Sequence, residues 1–360
     1  MLFLLFLLSI IIIFVSIDVY VAIEEWQSRI HIGRWDDRKK WQQAVEGKAQ
    51  KWLNHAPTVR KTSQNRLILI DIIRGEYRNS TIQKWQDAGL LLGLDKASAE
   101  KYVAKNKTLF EHQEFVPEDL LLAYSLKKCT LLSERQEEKI LACFQEFRTT
   151  GTVYYRPWVQ HLRFVDTLGM ILPFFFLCGW DDLAKRQLEE YDVALLDHVY
   201  PAHAYDLEKN LPLGVFDWAR GIGWYVLALI EVPNLSEHGI RILNLADSLL
   251  KHQNKDGSFS CFVFNQHERI ESSGTALIGL LFVAAYKVSK AKKFLYAARK
   301  AEKALMKATR RNGALDYCQG DTYGIGYYSQ VFSVMPFAQG MTLRLSKQLD
   351  EFVNEDTELC

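Results

Sequence analysis

The chain has 360 residues, 49% of them hydrophobic and 24% charged, which excludes a disordered polymer and supplies enough apolar material for a full core. With 44 basic against 43 acidic residues the formal net charge is +1, and no long basic stripe interrupts the sequence, so nucleic acid is excluded as a partner. The six cysteines, Cys129, Cys143, Cys178, Cys261, Cys318 and Cys360, have neither metal-ligand nor redox-pair spacing and suit a reducing compartment.

Residues 1–23 are apolar almost throughout, with Asp18 the only charge, and a bilayer-spanning helix needs about 20 such residues. A cleavable signal peptide expects a basic start, a shorter apolar core and a small-residue cleavage site, none of which is present. The segment therefore reads as an uncleaved single-pass anchor whose partner is the lipid bilayer. Arg29, Arg34, Arg38, Lys39 and Lys40 follow it, and the positive-inside tendency then leaves the body of the protein in the cytoplasm. A juxtamembrane linker is expected over 24–37, one large domain over 38–350 and a tail over 351–360.

Beyond the anchor, apolar residues recur at helical spacing between loops marked by Gly, Asn and Pro. The pattern predicts helices near 38–55, 65–75, 81–93, 97–110, 117–128, 133–148, 167–178, 181–198, 218–231, 236–254, 271–288, 290–309 and 331–348. Ser133 with Gln136 forms a capping-box pattern, and Pro117 with Glu118 and Asp119 marks a first turn. Strand signals are confined to 259–264, after the turn at Asn254-Lys255-Asp256-Gly257, and 152–155. An all-α domain follows, but periodicity alone leaves a bundle, a solenoid and a closed toroid open.

Five clusters carry chemistry. Phe216-Asp217-Trp218-Ala219-Arg220-Gly221-Ile222-Gly223-Trp224 has the composition of a sugar site: flat rings to stack on a pyranose, a guanidinium to grip a carboxylate, and glycines to admit a ligand. The bland alternative makes Trp218 and Trp224 core aromatics and has Arg220 satisfy local carbonyls. Asp166, within Phe164-Val165-Asp166-Thr167-Leu168-Gly169-Met170, is either a helix N-cap or a carboxyl whose apolar walls raise its pKa so that it donates a proton near neutrality. His203 lies in a loop with Tyr200 and Tyr205, and such a residue is more often a solvent-facing bystander. Glu271-Ser272-Ser273-Gly274-Thr275 reads as a helix start. The aromatic, glycine-rich stretch from Asp316 to Tyr328 is either a functional loop or packed filling.

In this order the clusters resemble the unsaturated glucuronyl and rhamnogalacturonyl hydrolases, glycoside hydrolase families 88 and 105, and the rhamnogalacturonyl type more closely. The resemblance runs from about residue 40 to 348. Its most specific part is Trp218-Ala219-Arg220-Gly221-Ile222-Gly223-Trp224, where the family shows Trp-Gly/Ala-Arg-Gly-Asn-Gly-Trp. Phe164-Val165-Asp166 with Met170 and Pro173-Phe174, the turn from Gln253 to Gly257, and Glu271-Ser272-Ser273-Gly274-Thr275-Ala276 match three further family segments.

The resemblance implies an (α/α)6 toroid and a hydrolase that needs no metal or organic cofactor. Its substrate would be an oligosaccharide with a non-reducing terminal 4,5-unsaturated uronate, left by a polysaccharide lyase. Asp166 would protonate the vinyl ether at C4, water would add at C5, and the hemiketal would open to release the neighbouring sugar. His203, Arg220 and Trp224 fall where the family places substrate contacts, with Phe164 and Trp218 beside them. Three positions depart from the pattern: Phe164 replaces Trp, Ile222 replaces Asn, and no Asp aligns with the family's second acid just before the helix at 117–128, Glu114 being the candidate substitute. Two rivals stay open. One is a toroid that cleaves saturated glycans with two carboxylates, Asp166 and Glu114 or Asp217; the other is an inert, membrane-tethered glycan-binding protein.

Overall fold

In the computed structural model the described residues are 2–55, 57, 82–195, 199–266, 269–322 and 324–353. The helix expected at 65–75 lies outside them. Helix α1 (Leu2–Arg29) is followed by α2 (Arg38–Asn54), α3 (Ile82–Gly93), α4 (Lys96–Lys105), α5 (Pro117–Lys128), α6 (Glu134–Ala142), the single turn α7 (Phe147–Thr150), α8 (Val165–Leu177) and α9 (Asp181–Leu195). Then come α10 (Ala219–Ile230), α11 (Gly239–Leu250), α12 (Ser272–Ser289), α13 (Lys292–Lys307) and α14 (Pro336–Asp350).

Six of these close a ring. Helix α3 packs on α5, α5 on α8, α8 on α10, α10 on α12, α12 on α14, and α14 returns to α3. The ring helices are buried almost all round, as the unbroken buried runs 117–126, 219–229 and 272–286 show. Outer helices bury one stripe: α2 buries Trp41, Val45, Ala49 and Trp52, and α13 presents Phe294, Leu295, Ala298, Ala301 and Leu305 to α12. This is the amphipathic pattern of a helix with one face on a core.

The seam between first and last ring helices depends on glycine. A Cβ on Gly340 would lie 1.9 Å from the Gly89 carbonyl oxygen, and one on Gly93 would lie 2.2 Å from that of Gly340. Both ends of the ring are marked by charge. Glu118, Asp166, Arg220 and Glu271 sit at or beside the starts of α5, α8, α10 and α12, while Lys128, Glu231 and Arg344 gather at the far end, where Glu231 bonds Arg344, Lys128 and Tyr124.

Strands are short. β1 (Leu162–Phe164), β2 (Ala204–Asp206) and β3 (Leu211–Leu213) form an antiparallel sheet, and β4 (Cys318–Gln319) pairs with β5 (Phe332–Ser333). The strands expected at 259–264 and 152–155 do not form. The first stretch makes isolated bridges, Ser260 with Ile270 and Phe262 with Trp218, and the second runs as an irregular loop. The helix expected at 133–148 breaks after Ala142, and the one expected from 331 starts only at Pro336, because Phe332 and Ser333 belong to β5.

Helix α1 is continuous past residue 23, and most of its described apolar side chains face outward, from Leu2 at 85% exposed to Ile10 at 36%, with Phe14 and Ile17 partly buried. Among the described residues, the one helix of at least 18 residues long and apolar enough to cross a membrane by composition is α12, 83% buried in the ring; the apolar stretch Leu2–Ile17 falls short of that length.

Candidate active site

The site lies at the end of the ring where α5, α8, α10 and α12 begin. β1 runs directly into α8, so Phe164 takes the N-cap position with extended backbone and no side-chain cap, and Asp166 stands in the first turn. The N-cap reading of Asp166 is thereby set aside. Its Oδ1 is inaccessible to solvent and has no hydrogen-bond partner. Burial pushes its pKa up, Arg220 pulls it down, and Asp321 and Glu118 raise it again, to about 7. A carboxyl so placed is half protonated near neutrality and has a free oxygen with which to pass on a proton.

An aromatic box surrounds it. Phe164 stands 6.1 Å from the His203 ring and 5.6 Å from Tyr155. His203 stands 4.8 Å from Trp218 and 5.5 Å from Tyr328. The imidazole does not face solvent, since only 3% of the residue is exposed. Burial and then the Arg220 charge lower its pKa to about 4, so it is neutral at pH 7, with Nδ1 3.2 Å from the Tyr328 hydroxyl. Trp218 donates Nε1–H to Gln319 Oε1 at 2.9 Å.

Arg220 is fully committed to the loop beside it. Nη1 donates to the Gln319 carbonyl at 2.5 Å and Nη2 to that of Gly320 at 2.6 Å. Its charge rather than its fork is what reaches Asp166. Trp224, expected to stack on a sugar ring, is 2% exposed. It stacks on Phe337 at 4.7 Å with Trp85 edge-on at 5.6 Å, and Gly169 admits it so closely that a Cβ there would lie 2.8 Å from its ring. Those contacts make Trp224 core packing beneath the site. Ile222 is likewise fully buried, which accounts for a branched apolar side chain at that position.

Glu114 is exposed and none of its described contacts reaches this cluster. The acids that the fold does bury are Glu118 and Asp119, in the first turn of α5. Glu118 accepts from the Tyr155 hydroxyl at 3.0 Å and from Arg156 Nη2 at 2.6 Å, and its charge is felt at Asp166. Asp119 accepts from the Val116 N–H at 3.0 Å and pairs with Lys84 at 2.6 Å. Both were visible in the sequence only as first-turn acids, a pattern that the helix dipole explains without any site. Tyr328 and Asp321 were contained in the glycine-rich loop but nothing local singled them out. Asp217 is half-buried, and burial raises its pKa.

Glu271 is the N-cap of α12, accepting from the Ser273 and Gly274 N–H groups, and it also accepts from the Gln319 N–H at 3.1 Å. Among the described residues no three His, Cys, Asp or Glu side chains are placed to hold a metal ion.

The model of Glycosyl Hydrolase Family 88 matches residues 202–350. No curated protein matches the chain. Among solved structures, an unsaturated glucuronyl hydrolase specific for heparin aligns at 14% identity over 88% of this chain and 98% of its own, with a TM-score of 0.66. The unsaturated glucuronyl hydrolase of Bacillus sp. GL1, responsible for the degradation of glycosaminoglycan, aligns at 16% identity over 87% and 97%, with a TM-score of 0.61. A possible member of family 105 from Salmonella enterica serovar Paratyphi A aligns at 15% identity over 88% and 96%, also with a TM-score of 0.61. At such identities these structures speak for the shared fold, and the closed helical ring is that fold. The match over residues 202–350 bears out the resemblance that the sequence motifs carry and the reading of the chain as a glycoside hydrolase.

Proposed function

We propose that the protein removes a non-reducing terminal 4,5-unsaturated uronate from lyase-generated oligosaccharides by hydrating the vinyl-ether double bond, with Asp166 as acid and then base. The observation that carries this reading is the Asp166 carboxyl, with a buried, unpartnered Oδ1 and a pKa of about 7. Protonated Asp166 gives its proton to C4, the resulting oxocarbenium centre at C5 takes up water, and the Asp166 carboxylate accepts the proton that water releases. The hemiketal so formed opens and frees the neighbouring sugar. One carboxyl suffices for this sequence, whereas cleavage of a saturated glycoside uses two. Glu118 is a poor second acid because Arg156 and Tyr155 already hold it. Neutral His203, the Tyr328 hydroxyl and the half-buried Phe164 ring are the groups offered to the sugar, with Trp218, 2% exposed, packed behind them.

The test follows the near-ultraviolet absorbance of the conjugated uronate in a panel of unsaturated disaccharides. Loss of absorbance that vanishes in Asp166→Asn supports the reading. A folded protein that consumes none of them, but binds or cleaves saturated glycans, overturns it.

We further propose that α1 is a membrane anchor and that the ring is cytoplasmic. The outward apolar surface of α1 favours lipid over water, and Arg34, Lys39 and Lys40 follow it on the exposed surface. Two basic residues of that flank also serve the fold: Arg29 pairs with Asp316, and Arg38 with Glu302 and Asp350.

A further inference from the structure

The last residue of α1 reaches the hairpin that carries part of the candidate site. Arg29 Nε lies 2.6 Å from Asp316 Oδ2, and its Nη2 donates to Asp316 Oδ1 at 3.0 Å and to the Phe332 carbonyl at 3.3 Å. Asp316 leads into β4 and Phe332 lies in β5, so one guanidinium holds both arms of the hairpin. The chain that follows Arg29 is fastened to the same region. Gly33 donates its N–H to the Thr309 carbonyl at 3.0 Å, and Trp35 Nε1 donates to that of Arg310 at 3.2 Å. Gly33 has φ of +73°, and a Cβ there would lie 2.5 Å from the Lys307 carbonyl oxygen, so only glycine allows this approach.

Charge neutralisation alone does not explain Arg29, although against burial it joins Arg310 in holding the Asp316 carboxyl below its ordinary pKa. Asp316 is completely buried, but Arg310 already pairs with it at 2.7 Å. What the second guanidinium adds is a planar, bidentate grip from a segment 287 residues away, which fixes geometry. On its inner side the same hairpin is held by Arg220 and Trp218 through Gln319 and Gly320. Its loop brings Tyr328 to His203 and places Asp321 where its charge acts on Asp166.

We infer that Arg29 is a positioning residue for the active site: by clamping Asp316 and Phe332 it sets the β4–β5 hairpin, and with it Tyr328, against the rest of the site. The N-terminal helix and the catalytic end of the ring are thereby coupled. The kinetic arm of the test rests on the proposed hydrolysis; the exchange arm does not.

The experiment compares the full wild-type chain with Arg29→Met and Arg29→Lys. In Arg29→Met, kcat falls by about tenfold while KM stays within about twofold, the signature of lost positioning rather than lost binding. Arg29→Lys recovers part of the loss. The alkaline limb of kcat/KM moves to lower pH in Arg29→Met, because a displaced hairpin exposes Asp166 and removes the Asp321 charge that helps it keep its proton. Amide hydrogen exchange over 318–333 quickens by about tenfold in Arg29→Met with the ring helices unchanged. Wild-type exchange across 318–333, or exchange that quickens equally everywhere, overturns the inference. If the wild type turns over no substrate, the proposed hydrolysis fails by itself and the exchange measurement still decides the role of Arg29.

Discussion

A carboxyl group in the first turn of a helix is ordinarily held ionised, since the free N–H groups and the dipole favour negative charge there. At Asp166 burial, Asp321 and Glu118 prevail over that tendency and over Arg220, leaving a pKa of about 7. The cost to folding has a definite sign. A carboxyl raised above its unfolded value binds more protons in the native state, so the native state loses stability as pH rises from the unfolded pKa through the folded one. Asp166→Asn is therefore expected to raise Tm at pH 8, by an amount worth at most about 4 kcal/mol, and to change it little at pH 4. On the proposed hydrolysis the same substitution is expected to abolish turnover, so activity and stability would move in opposite directions. A lower Tm at pH 8 would mean that the ionised carboxylate has partners that the structure does not give it. In the active enzyme the acid form must be present, so kcat/KM falls above about pH 7. From sequence, Asp166 as cap and Asp166 as proton donor could not be separated, because the two differ by a shift of two residues in where the helix begins. Glu114 was the wrong choice for a similar reason: it is exposed, and the acids that the fold buries stand four and five residues later.

Between elements the decisive contacts are close approaches and one buried ion cluster. At the α3–α14 seam Gly89, Gly93 and Gly340 let two backbones touch. Gly340→Ala puts a methyl group 1.9 Å from a backbone oxygen, which no rotamer change relieves; a loss of more than about 3 kcal/mol in urea unfolding is expected. At the opposite end Glu231 joins α5 to α14 through Lys128, Tyr124 and Arg344. Burial opposes its ionisation, but Arg344 and then Lys128 outweigh burial and hold its pKa at about 2. Its stabilising effect is present above the unfolded carboxylate pKa and is lost as pH falls through about 2. Glu231→Ala leaves Arg344 uncompensated at 7% exposure, and a loss of about 3 to 5 kcal/mol near pH 7 is expected from the midpoint of denaturant unfolding. The helices were legible because their apolar periods are long. The three-residue strands were not: β1, β2 and β3 are too short to show alternation, and their pairing joins residues 162–164 to 204–206 and 211–213, a register that no local pattern encodes.

Ring closure is a property of the whole molecule. It rests on contacts between residues near 90 and residues near 340, which is why helical periodicity left bundle, solenoid and toroid undivided while the order of the motifs pointed to the toroid. The role of α1 is a question at the same scale, because among the described residues most of its apolar side chains are exposed while Ser28, Arg29 and the segment after them bond to the body of the protein. Water and lipid make opposite demands on that surface. Ile12 is 56% exposed; on a helix in water, Ile12→Lys is harmless or helpful, whereas at the centre of a spanning helix a lysine costs about 2.5 to 3.5 kcal/mol. If α1 is an anchor, the wild-type chain floats with lipid vesicles in a density gradient, and Ile12→Lys paired with Ile11→Lys shifts it to the soluble fraction. The Tm of the ring stays unchanged, and so does the Arg29 clamp, since neither substitution touches Asp316. A wild-type chain that remains soluble without lipid or detergent, and whose distribution the two lysines do not alter, would instead assign the apolar face of α1 to a protein partner.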